Sequence, residues 1–141
     1  MVRLLRLKPF LNVLLIFPTL IAAHGCGRPD AKSIESLLER REDAIEARNP
    51  DLYLTCISPV YNEAGQDIEG LQAQIRSTFR TFDSIEIEAT GLNITIEGDK
   101  ARASQMVHLI ASAGSERRER QYEEILSFRK ELGEWKITGG L

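Results

Sequence analysis

Two periodicities divide the chain. Between residues 31 and 82 the apolar positions recur at helical spacing, and from residue 84 onward they recur at every second position. The change of period predicts helices first and strands afterwards. The opening stripe is Ile34, Leu37, Leu38, Ala44 and Ile45, which predicts a helix over 31–48 with Asp30 or Ser33 as its cap. Arg41 is the single charged break in that stripe. Asn49-Pro50-Asp51 ends this helix and opens another, with an asparagine cap, a proline at the first helical position and an acid in the first turn. The second helix is short, carrying Leu52, Tyr53 and Cys56 until Pro59 stops it. A loop with Tyr61 and Gly65 follows, and Ile68, Leu71, Ile75, Phe79 and Phe82 mark a third helix over 67–81.

Strict alternation begins with Ile85, Ile87 and Ala89 around Glu86 and Glu88. Beyond Gly91 the apolar residues are Leu92, Ile94 and Ile96, one step out of phase. An extra residue near Thr90-Gly91 restores the phase, so a bulge that bends the strand is expected there. Gly98-Asp99 turns the chain into a strand over 100–112, where Ala101, Ala103, Gln105, Val107, Leu109 and Ala111 share a face. Past Gly114-Ser115, a strand over 118–132 places Tyr122, Glu124, Leu126 and Phe128 on one face. Gly133-Glu134 turns into the last strand, Trp135-Lys136-Ile137. Sequential strands at hairpin spacing predict an antiparallel meander. Helices ahead of a bent sheet predict an α+β domain.

A segment of another kind precedes these elements. Arg3, Arg6 and Lys8 lead into an apolar run of 14 residues, Phe10 to Ala23, interrupted by Pro18 and followed by His24-Gly25-Cys26. A basic head, an apolar core and small residues before a cut predict an export signal over 1–25. The run is shorter than the ~20 residues that span a bilayer. Two readings share the bond before Cys26. One is ordinary cleavage, giving a soluble secreted protein whose Cys26 is free or bridged to Cys56. The other is a resemblance to the lipobox of bacterial lipoproteins, with Ala23 where leucine is usual and His24 where a small residue is usual. That resemblance implies a diacylglycerol on the Cys26 thiol and an acylated amino terminus (palmitate-type chains), anchoring a periplasm-facing envelope protein. Gly27 after the cysteine, where no aspartate stands, implies the outer membrane if the host is Gram-negative. The expected plan is a signal over 1–25, an attachment cysteine and short tether over 26–32, and a folded domain over 33–141.

Removing the signal takes away three basic residues and no acidic ones, leaving 15 Lys and Arg against 21 Asp and Glu, a net charge of −6. That balance argues against a nucleic-acid partner, which needs clustered positive charge. Cys56 is expected as a small buried residue on a helix. His108 is the one histidine after the signal, and no metal spacing or phosphate-binding glycine loop accompanies it, so no metal or other cofactor is expected. Glu116-Arg117-Arg118-Glu119-Arg120 reads as a solvated hairpin end.

The element order, the helix-ending Asn49-Pro50 and the closing Glu134-Trp135-Lys136-Ile137 resemble the nuclear-transport-factor-2-like superfamily, also called SnoaL-like or cystatin-like cone folds, over residues 31–141. The resemblance implies a cone-shaped pocket between the helices and the concave sheet face, and a convex face used for dimer contacts. The superfamily holds isomerases, dehydratases, adaptors and secretion-machine subunits, so fold alone does not select an activity.

The expected inner wall is apolar: Ala103, Val107, Leu109, Leu126 and Phe128. Tyr53, Tyr61, Gln105, Tyr122, Glu124 and Phe128 are the candidate ligand contacts. A carboxylate on an apolar face gains a raised pKa by desolvation, as a general base near neutral pH requires. Glu124 as base, with Tyr53 or Tyr122 donating to an oxyanion, is therefore the catalytic set of an isomerase-like alternative. The contrasting reading pairs Glu124 with Arg118, Arg120 or solvent and gives Gln105 to nearby backbone groups. With no pair of groups at diagnostic catalytic spacing, the expected function is binding of a small apolar molecule or an envelope protein, without covalent chemistry. A structural subunit of an envelope assembly, or a homodimer, would use the outer face carrying Met106, His108 and Ile110.

Overall fold

The computed structural model describes residues 27–141. The expected export signal and Cys26 lie outside the described residues. Helix α1 (Gly27–Glu46) begins earlier than the stripe suggests, so residues 27–32, expected as a tether, are helical. Neither Asp30 nor Ser33 caps it. Ser33 Oγ donates to the Pro29 carbonyl at 2.9 Å. Asp30 instead turns to the sheet and accepts from Lys130 Nζ at 2.6 Å and Trp135 Nε1 at 3.0 Å. Those partners hold its pKa below the ordinary carboxylate value, the Lys130 hydrogen bond contributing most. The helix ends through Arg48 at φ +49, which lets Asn49 N donate back to Ala44 O at 2.8 Å.

Asn49 caps α2 (Pro50–Thr55), accepting from Leu52 N at 3.0 Å. Asp67 caps α3 (Ile68–Thr81) in the same way, accepting from Gly70 N at 2.9 Å. The segment expected as a plain loop holds a miniature hairpin, β1 (Asn62–Glu63) and β2 (Gln66–Asp67). Ala64 (φ +52) and Gly65 (φ +84) make its turn. Two residues per strand are too few to show a period.

The main sheet is a meander of β3 (Ser84–Glu97), β4 (Lys100–Ala113), β5 (Glu116–Glu131) and β6 (Glu134–Gly139), paired antiparallel in chain order. Thr90 pairs with Met106 but Asn93 pairs with Ser104, so Gly91 and Leu92 together oppose Gln105. This is the predicted bulge, with Gly91 at φ +69. Strand β6 reaches only Ser127–Glu131 of β5, which leaves the first half of β5 as a sheet edge. That edge carries charge at nearly every position from Glu116 to Glu124, a pattern that discourages pairing with another chain. The far side of β6 takes the chain after α2 as a parallel bridge, Ser58 N donating to Ile137 O at 2.8 Å and Ile137 N to Cys56 O at 2.9 Å.

Helix α1 lays Ile34, Leu37 and Leu38 into a closed core with Ala101, Ala103, Leu126, Phe128 and Ile137. Cys56 is fully buried and unbridged, its Sγ 3.8 Å from the Leu37 carbonyl, and burial pushes its thiol pKa up. Among the described residues, no helix is long and apolar enough to cross a membrane.

Candidate functional site: a buried ion pair beside an apolar cleft

Alternation along β5 puts Arg118, Arg120, Tyr122, Glu124, Leu126 and Phe128 on the concave face. The inner stripe of α1 presents Arg41 to that face, one turn beyond Leu37 and Leu38. The two meet as a bidentate pair, Arg41 Nη1 donating to Glu124 Oε2 at 3.0 Å and Nη2 to Oε1 at 2.5 Å. Gln105 is the cross-strand partner of Glu124 and donates Nε2 to Oε2 at 2.9 Å. Arg41, Gln105 and Glu124 are 4 %, 4 % and 6 % exposed.

The Arg41 guanidinium also lies 5.9 Å from the centroid of the Tyr53 ring. Burial alone would lower its pKa; Tyr53 and Glu124 more than offset this, and the value stands above that of ordinary arginine. Its Nε has no hydrogen-bond partner. The contrasting reading of Glu124 and Gln105 is therefore corrected. Glu124 is buried, but its partner is Arg41 rather than Arg118, Arg120 or solvent, and Gln105 serves the carboxylate rather than the backbone. The one charged break in the α1 stripe and the one carboxylate on the apolar face of β5 were the two halves of this signal.

Beside the pair lies a cleft of about 300 Å³ between the helices and the far end of the concave face. Ile45, Tyr53, Ile75, Phe79 and Phe82 form its helical side. Ile85, Leu109 and Ala111 form its sheet side, Thr78 adds a hydroxyl, and Arg118 and Arg120 stand at the lip. Tyr53 is buried and packs edge-on against Phe79, ring centroids 6.0 Å apart.

Of the six predicted ligand contacts, only Tyr53 lines this cleft. Glu124 and Gln105 are sealed in the ion-pair network. Phe128, with Ala103 and Leu126 of the predicted inner wall, belongs to the closed core under α1, and Val107 is likewise fully buried. Leu109 alone of that predicted wall faces the hollow, because α1 fills the middle of the sheet and leaves open only the end facing α3. Tyr122 is 39 % exposed at the β5 edge, its pKa raised by burial and then by Glu124. Tyr61 lies elsewhere altogether. It donates to Glu63 Oε2 at 3.2 Å, the same oxygen that takes Gly140 N at 2.6 Å and Leu141 N at 3.4 Å. Burial, then Glu63, push the Tyr61 hydroxyl up to about 12.

The outer face holds different material. A hollow of about 350 Å³ at the β3–β4 hairpin end is lined by charged and hydroxyl residues, among them Lys100, Arg102 and Arg129, together with Ala101 and Phe128. His108 sits on this face as expected, Nε2 2.7 Å from Glu119 Oε1, with Met106 exposed nearby. Among the described residues no group of acidic, histidine or cysteine side chains is arranged to hold a metal.

No family model matches this sequence, and no well-characterised protein matches it significantly. Solved structures do. A conserved protein from Planctomyces limnophilus superposes with a TM-score of 0.71 at 18% identity, covering 79% of this chain and 92% of that one. A protein named as a proposed dehydratase of the NTF2-like family from Streptomyces avermitilis gives 0.69 at 10% identity, covering 79% and 93%. An NTF2-like protein with a cystatin-like fold from Novosphingobium aromaticivorans gives 0.66 at 17% identity, covering 79% of each. At such identities the shared property is architecture. Three helices closing one side of a bulged four-stranded meander give this chain the NTF2-like, cystatin-like cone fold.

Proposed function

We propose that this is a binding domain for a small apolar molecule, carried out of the cell and held at the envelope by acyl chains on Cys26, and that it performs no covalent chemistry. The cleft carries the reading. Its walls are mainly aromatic and aliphatic, Thr78 and Tyr53 are the lining residues that carry a hydroxyl, and its size falls at the low end of the ~300–1,000 Å³ of ligand pockets. The carboxylate a base-catalysed reaction would require is absent from those walls. Glu124 accepts three hydrogen bonds from Arg41 and Gln105, which take up three of the roughly four lone-pair sites of its carboxylate and stabilise its charged form.

The test is a neutral fluorescent probe, N-phenyl-1-naphthylamine. Its emission should rise with the wild-type protein and fail to rise with Ile75→Trp, which fills the cleft. Equal enhancement by both proteins, or none by the wild type, contradicts the proposal.

A further inference from the structure

The cleft has an apolar body and a cationic lip, and the register of the sheet fixes both. Cross-strand pairing sets Arg118 opposite Ala111 and Arg120 opposite Leu109, so each arginine stands beside a residue of the cleft wall. Being two residues apart on one face of a strand, their Cα atoms are about 7 Å from each other, close enough for both guanidiniums to reach one anionic group. The run from Glu116 to Arg120 interleaves three arginines with two glutamates in the sequence, and the pleat sorts them. Arg117 and Glu119 pair with each other on the outer face at 3.3 Å. On the inner face Glu116 meets only Arg118, at 3.3 Å and fully in solvent reach, both side chains being at least 70 % exposed. Arg120 makes no ion pair among the described residues. The inner lip thus keeps an uncompensated cation against an oily wall.

A wholly neutral ligand would fill the body of the cleft but leave the arginines at its mouth with nothing to bind, whereas an acid group would engage both. Guanidinium groups pair with planar carboxylates and with sulfonates or phosphates through two parallel hydrogen bonds, with directional preference that an ammonium lacks. We infer that the occupant of the cleft is an anionic amphiphile, a small aromatic or aliphatic acid whose body lies against Ile75, Phe79 and Leu109 and whose acid group is held by Arg118 and Arg120. The inference rests on the binding reading and names the ligand class of that same cleft. Glu116, already paired with Arg118, competes for it, so Arg120 carries the larger share of the recognition. Screening by salt weakens it, since the lip is exposed.

Calorimetric or fluorescence titration with matched acid and amide pairs tests it: benzoate, 4-butylbenzoate and 2-naphthoate, each against its primary amide. The acid of a pair that fits should bind at least tenfold more tightly than its amide at low salt. That ratio should collapse toward one in the Arg118→Gln/Arg120→Gln protein, whose unfolding midpoint should match the wild type. Acid and amide binding equally well in the wild type overturns the anionic assignment while leaving the cleft as a binding site. An acid preference that survives the double substitution also overturns it. Failure of every pair to bind the wild type at millimolar concentration overturns the binding reading, and this inference with it.

Discussion

Arg41 and Glu124 lie 83 residues apart in sequence and form the one ion pair of the described residues with both side chains only 5% exposed. The pair joins α1 to β5 across the interior of the cone. A buried pair of this kind is costly to break and cheap to replace. Arg41→Met or Glu124→Leu alone should each lose about 3–5 kcal/mol, because the partner is left charged and dry. The double substitution should return to within about 1–2 kcal/mol of the wild type or exceed it. Urea unfolding of the four proteins in a double-mutant cycle measures this.

Alkaline stability should report on Tyr61. In the folded protein its hydroxyl titrates at about 12, whereas in the unfolded chain it titrates near ~10. Between those values the unfolded state has lost a proton that the folded state keeps. The stability contributed by this group is full below pH ~10 and falls as pH rises toward ~12. Tyr61→Phe should flatten that part of the thermal midpoint curve, at a cost near neutral pH of about 1 kcal/mol for the lost bond to Glu63.

The chain terminus depends on a glycine. Gly140 has φ +94, and a β-carbon there would run into the carbonyl of Ile125. Gly140→Ala should therefore cost about 1–3 kcal/mol and loosen the Glu63 contacts to Gly140 and Leu141. Gly114→Ala, at φ +57 with open space around it, should cost only about 1 kcal/mol. Thermal unfolding of both variants checks the difference.

Anchoring is tested at Cys26. Cys26→Ser should move the protein from the membrane to the soluble fraction and abolish acyl labelling. Continued tight membrane association of that variant would contradict lipid attachment.

Local rules made most of the fold legible in the sequence. The phase slip at Gly91 located the bulge because alternation is a one-residue ruler, and Asn49-Pro50 located a helix boundary because its chemistry is confined to two residues. The binding site was less legible. Arg41 looked like a flaw in an apolar stripe, since nothing local points to a partner on β5. The position of the hollow depends on how far α1 reaches across the sheet. That reach decides whether Phe128 or Leu109 meets a ligand, and periodicity gives both the same face. Arg118 and Arg120 were hidden among Glu116, Arg117 and Glu119 until the pleat separated them.

The most direct measurement is a methyl NMR titration of isoleucine-labelled protein with 2-naphthoate. A molecule seated in the cleft should shift the methyls of Ile45, Ile75 and Ile85 and leave Ile34 and Ile137 in the core, and Ile110 and Ile125 on the outer face, unmoved. Shifts confined to Ile110 and Ile125, or spread evenly over every isoleucine, would contradict a binding site in the cone.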